Sequence, residues 1–148
     1  MLTLDKMKHN LEVARLCYTL AKYKYNCSER FCRAMWTVGY THDIGYEFLE
    51  KNIDNPRLHS DISDDMLFSA FHGDSYAIKW HGKKINQDDL SLRILNEADL
   101  QVDSKGNVVT VHVRLEDIKN RYGINSIQYE QSLWLAQELG LIEVDNEL

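Results

Sequence analysis

The sequence predicts an all-helical single domain spanning residues 1–148. Apolar residues recur at three- and four-residue intervals through most of the 148 residues, the period of helices with one buried face. One proline and seven glycines exclude collagen-like and linker-like chains. The only alternating stretch, Val108 to Val113, has no second strand to pair with and reads as an extended loop.

The first helix runs from residue 4 to about residue 25. Leu4, Met7, Leu11, Ala14 and Cys17 form one apolar row, and His9, Val13, Leu16 and Leu20 form a second. Ser28 is placed to cap the next helix, where Phe31, Ala34, Met35 and Val38 make the inward stripe. His42 falls four residues further along that stripe, followed by Asp43, Ile44 and Gly45. A short helical piece, 46–51, leads into a loop ending at Pro56. His59 then heads a row with Ile62, Met66 and Ala70, and His72-Gly73-Asp74 closes that helix. Residues 76–80 form another short helix, with Ala77 and Ile78 just ahead of His81. Asp88 or Asp89 caps a helix over 89–102, in which Leu92, Leu95, Asp99 and Val102 share a row. A turn at 103–107 follows, then helices over 115–122 and 126–139, with Gly140 as the stop.

Composition narrows the function. Hydrophobic residues are 44% and charged residues 27% of the chain, values of an ordinary globular protein. A formal charge of −6 argues against a nucleic-acid polymer as ligand, because neutralising phosphates needs a basic face. Cys17, Cys27 and Cys32 are odd in number and form no CxxC, which disfavours disulfides and thiolate zinc. The first residues lack an apolar leader, and no run reaches membrane-spanning length. A cytoplasmic protein without a membrane partner is expected, and a homodimer is compatible with its size.

Four histidines (His9, His42, His59, His81) and two aspartates (Asp43, Asp99) lie within or beside inward rows. An unpaired buried polar group costs about 1–3 kcal/mol, so six of them would consume most of a domain's stability. Separate core hydrogen bonds would satisfy each residue singly. Shared ligation of a metal accounts better for the set. Imidazole and carboxylate without thiolate suit iron, manganese, nickel or zinc, and suit calcium less.

In this order, His9, His42-Asp43, His59, His81 and Asp99 resemble the metal-binding signature of the HD-domain phosphohydrolase superfamily. The pair of extra histidines is similar to its two-metal branch, which includes bacterial HD-type dinucleotide polyphosphate hydrolases. The resemblance covers about residues 8–103 and leaves 104–148 as a C-terminal helical extension. It implies an HD-type helical bundle, with His9, His42, Asp43 and Asp99 on a primary ion. His59 and His81 would hold a second ion bridged by Asp43, with His42 and Asp43 at the catalytic centre. One or two divalent ions are implied, iron or manganese first, with nickel, zinc or magnesium also admissible. The implied activity is hydrolysis of a nucleotide or other small phosphate ester through a metal-activated water. The alternatives are a di-iron oxygenase of the same superfamily and a non-catalytic nucleotide-binding module. Tyr46 stands where many members carry lysine, and Leu100-Gln101-Val102-Asp103 differs from the Tyr-Ile-Glu-Pro of the dinucleotide hydrolases.

Lys8, Lys79, Lys83 and Lys84 flank the ligand candidates and are the sequence's choices for substrate phosphate contacts. His72 and His112 read as surface residues, Arg114 and Arg121 as ordinary ion-pairing residues, and the three tryptophans as core.

Overall fold

The computed structural model describes residues 3–43 and 76–143. The expectations for Tyr46, for helix 46–51 and for the segment carrying His59 and His72 lie outside the described residues. Six α-helices occur among the described residues: α1 (Leu4–Thr19), α2 (Glu29–Thr41), α3 (Tyr76–Trp80), α4 (Leu90–Asp99), α5 (Val111–Tyr122) and α6 (Ile127–Glu138). A single π-helical turn, Leu20–Lys24, continues α1. None of these helices is long and apolar enough to cross a membrane.

Local chemistry sets the helix starts. Thr3, Ser28, Asp89, Thr110 and Ser126 each accept a backbone N–H three residues on, satisfying a donor that the first turn leaves unpaired. The all-helical expectation holds here, with one amendment. Val108 does find a partner, because the turn at 103–107 folds it back onto Val102 in a single antiparallel bridge. Thr110 then starts α5 at Val111, so Val111–Val113 are helical and not extended.

Close backbone approach selects the buried faces. A Cβ at Gly39 would lie 2.8 Å from the Cα of Ala14, so glycine lets α1 and α2 touch almost backbone to backbone. That contact turns His9, Val13, Ala14 and Cys17 inward on α1. It leaves Leu4, Met7 and Leu11 exposed, correcting the first apolar row. On α2 the buried stripe is Cys32, Met35 and Gly39, running on to His42. Phe31 and Val38 flank it, while Ala34, expected inward, faces solvent.

Helix α4 lies against α1, α2 and α3 and ends at Asp99, short of the expected 102. Its Leu92, Ile94, Leu95 and Ala98 join Val13, Met35 and Ile78 in the main core. A second core gathers Leu100, Val111, Leu115, Leu135, Ala136 and Leu139 under α5 and α6. Gly140 ends that pair at φ +71°, as expected of a helix-stop glycine.

Candidate metal centre

Three imidazoles are fixed by the same device. The last turn of a helix leaves carbonyls without intrahelical donors. His42, at the end of α2, bonds through Nδ1 to the Gly39 carbonyl at 2.5 Å. His81, just past α3, does the same to the Ile78 carbonyl at 2.6 Å. His9 instead uses the Asp103 carbonyl, 2.8 Å away in the turn after α4. A carbonyl only accepts, so each Nδ1 carries a proton and each Nε2 is turned toward the carboxylates.

Those Nε2 atoms converge on two carboxylates. His9 Nε2 is 3.0 Å from Asp99 Oδ1 and 3.5 Å from Asp43 Oδ2. His42 Nε2 is 3.0 Å from Asp43 Oδ2 and 3.5 Å from Asp99 Oδ1. His81 Nε2 approaches the other Asp43 oxygen, Oδ1, at 3.6 Å. Ring nitrogens and carboxylate oxygens are thus crowded into one small volume. His42 Nε2 and Asp99 Oδ1 are buried and have no hydrogen-bond partner among the described residues. Two overlapping groups, His9–His42–Asp99 and His42–Asp43–His81, have ligand atoms within 4.8 Å of one another and could hold a metal ion.

Electrostatics agree that positive charge belongs there. Burial opposes charging the His42 ring, but Asp43 and Asp99 outweigh it and hold its pKa well above 6.5. Burial likewise opposes ionising Asp99, yet His42 and His9 hold its pKa well below 3.8. The Cys17 thiol is pushed up by burial and by Asp99, which keeps a thiolate out of the donor set.

Supporting residues were partly invisible in the sequence. Asn96 accepts from the Gly82 N–H at 2.8 Å and donates to Gln87 at 2.8 Å, tying the loop after His81 to α4. Asp103, whose carbonyl holds His9, is braced by N–H groups of Lys105 and Asn107. Arg114 is the main omission. It is only 9% exposed and donates from Nε to the Asp99 carbonyl at 3.2 Å and from Nη1 to Asp117 at 3.0 Å. Its Nη2 lies 3.7 Å from Asp99 Oδ1. A signal existed, since Arg114 stands three residues after Val111 and four before Ile118 on an apolar row.

A cleft of about 510 Å³ opens from the centre toward α5 and α6. His9, Asp43, His81 and Asp99 line it, with Lys6, Lys83, Arg114 and Arg121 as its cations. Of the four lysines chosen from sequence, Lys83 reaches this cleft, whereas Lys8, Lys79 and Lys84 do not line it. Lys79 and Lys84 lie instead over Trp80 and Trp134 at 5.8 and 5.7 Å. His112 is exposed, as expected of a surface residue. No protein-family model matches the chain, and neither a curated protein nor a solved structure matches it.

Proposed function

We propose that this protein is a metal-dependent phosphohydrolase of the HD-domain type, acting on a nucleotide or other small phosphate ester. The observation that carries the reading is the centre where three imidazoles and two carboxylates face one another, with His42 Nε2 and Asp99 Oδ1 lacking a hydrogen-bond partner among the described residues. A proton relieves such a contact only along one N–O line, whereas a cation at a shared point relieves several together. The donors are nitrogen and oxygen only, which suits iron or manganese, and equally nickel or zinc.

His9, His42 and Asp99 would hold one ion. Asp43 faces His42 with one oxygen and His81 with the other, and with these two residues it would help hold a second ion. When bound, a divalent ion supplies Lewis acidity and brings the pKa of water from about 15.7 to about 7. Backbone carbonyls keep the imidazoles from rotating, so the ligand lone pairs are set before substrate arrives. Asp43 lines the cleft and is the carboxylate suited to accept a proton from the attacking water. Cationic side chains along the cleft suit an anionic phosphate ester.

The test combines elemental analysis with phosphate release from a panel of nucleotides and simple esters. Near-stoichiometric iron or manganese together with metal-dependent phosphate release is expected. Protein that stays metal-free after reconstitution would refute the metal centre. Metal-loaded protein that consumes oxygen with reduced iron, and releases no phosphate, would establish the oxygenase alternative.

A further inference from the structure

We infer that the C-terminal helix pair α5–α6 is the recognition half of the cleft, with Arg114 as the phosphate anchor. This rests on the phosphohydrolase reading and assigns a role to residues that the family resemblance leaves unexplained. Two stripes carry it. Arg114, Ile118 and Tyr122 recur every four residues on α5, and Gln128, Gln131 and Leu135 recur at three and four on α6. Both stripes line the cleft. The hairpin's own core uses Val111, Leu115, Ala136 and Leu139, and shares only Leu135 with these stripes. Arg114 is buried on its stripe and Gln131 is half-buried, while Tyr122 and Gln128 are exposed, so the cleft wall runs from a buried cation to accessible aromatic and amide groups.

Arg114 is suited to the phosphate. Asp117 and the Asp99 carbonyl fix its guanidinium, so little side-chain freedom remains to be lost on binding. Its Nη2, at 3.7 Å from Asp99 Oδ1, is beyond hydrogen-bond range of that oxygen and sits at the rim of the histidine–aspartate centre. A planar guanidinium with N–H groups at that rim matches two oxygens of one phosphoryl group. Beyond it, Ile118 and Tyr122 offer apolar faces, while Gln128 and Gln131 offer amides that both donate and accept. The ligand class is therefore a phosphate ester with a flat body whose edge makes hydrogen bonds. The cleft volume of about 510 Å³ leaves room for such a body next to the phosphoryl group.

The experiment compares methyl phosphate, nucleoside monophosphates and inorganic phosphate on wild type, Arg114→Lys, Tyr122→Ala and Gln131→Ala. Inorganic phosphate binding is measured by calorimetry with and without added manganese, and a melting curve accompanies each variant. Arg114→Lys should weaken inorganic phosphate and raise KM for both ester types by about tenfold, because the fork is lost and the charge kept. Tyr122→Ala and Gln131→Ala should raise KM for the nucleotides by about three- to tenfold and leave methyl phosphate within about twofold. Unchanged phosphate affinity in Arg114→Lys overturns the anchor. Equal effects of Tyr122→Ala and Gln131→Ala on both esters, or none on either, overturn the body subsite. Tyr122 is 41% exposed, so its variant tests the subsite even where Arg114→Lys fails to fold. Arg114-dependent phosphate binding without turnover of any ester would refute the hydrolase reading and leave the subsite standing. Turnover that ignores both stripes would do the reverse.

Discussion

Glu97 and Asp99 lie two residues apart near the end of α4, and both carboxylates are drawn inward. Their surroundings differ in kind. Glu97 is 2% exposed and receives the Lys24 ammonium at 2.6 Å and the Tyr25 hydroxyl at 3.2 Å. Its charge is met by donors the chain supplies, and nothing further is required. Asp99 faces His9 and His42, whose Nδ1 protons are already committed to carbonyls. Arg114, at 3.7 Å, leaves Oδ1 beyond hydrogen-bond distance. A buried acid with a complete donor set is structure, whereas a cleft-lining acid whose buried oxygen faces ring nitrogens is a place for something else to bind.

The largest effect that tests this contrast is loss of a ligand. Asp43→Ala or His42→Ala should lower metal affinity by more than about 100-fold, since even outer-shell partners are worth 10–100-fold. Phosphate release should fall with it, while the metal-free protein keeps its fold by circular dichroism. Metal stoichiometry unchanged in both variants would show the centre to be closed, like Glu97.

The same isosteric change at the two acids sharpens the contrast. Asp99→Asn should cost about tenfold or more in metal affinity, read by competition with a chelator. Glu97→Gln should leave metal untouched and lower stability by about 1–2 kcal/mol in urea unfolding, a figure discounted because Lys24 is half exposed. The reverse pattern would exchange the two roles.

Turn geometry comes next. Gly106 sits at φ +85°, and a Cβ there would lie 2.5 Å from the Lys8 Cβ. Gly106→Ala should destabilise by about 2 kcal/mol and, by shifting the Asp103 carbonyl that holds His9, loosen metal as well. A loss of stability without any change in metal affinity would show that His9 needs no such support.

Acidity separates the two ends with opposite signs. In metal-free protein the raised His42 pKa stabilises the fold below 6.5 and is lost as pH rises through the folded value. The lowered Asp99 pKa stabilises it above 3.8 and is lost as pH falls through the folded value. The metal-free melting temperature should therefore decline on the alkaline side. Stabilisation by manganese should instead grow with pH, because the ligands must be unprotonated. Melting curves from about pH 5 to about pH 9 with and without manganese check this; parallel curves would remove the case for an ion.

The smallest effect concerns the lysines away from the cleft. Lys8→Ala, Lys79→Ala and Lys84→Ala should each leave KM within about twofold, as solvated charges contribute little. A tenfold rise for any of them would bring it into the substrate's path.

Residue spacing alone determined a good deal of this protein. Helical periodicity marked out the described helices, and Ser28, Asp89 and Gly140 were readable as boundaries because capping is a local transaction between neighbours. His9, His42, Asp43, His81 and Asp99 stood out because polar groups on apolar rows need a partner. Tertiary contact decided the rest. The rotation of α1, with Leu4, Met7 and Leu11 outward, depends on how closely Gly39 approaches Ala14, a fact about two distant backbones. Arg114 read as an ordinary ion-pairing residue because Asp117 is near it in sequence. Its second partner, the carbonyl of Asp99, is fifteen residues away and is brought beside it only by the turn that pairs Val102 with Val108. Periodicity ranks faces within one helix, whereas the energy that orients a face comes from a neighbour that the helix's own sequence does not contain.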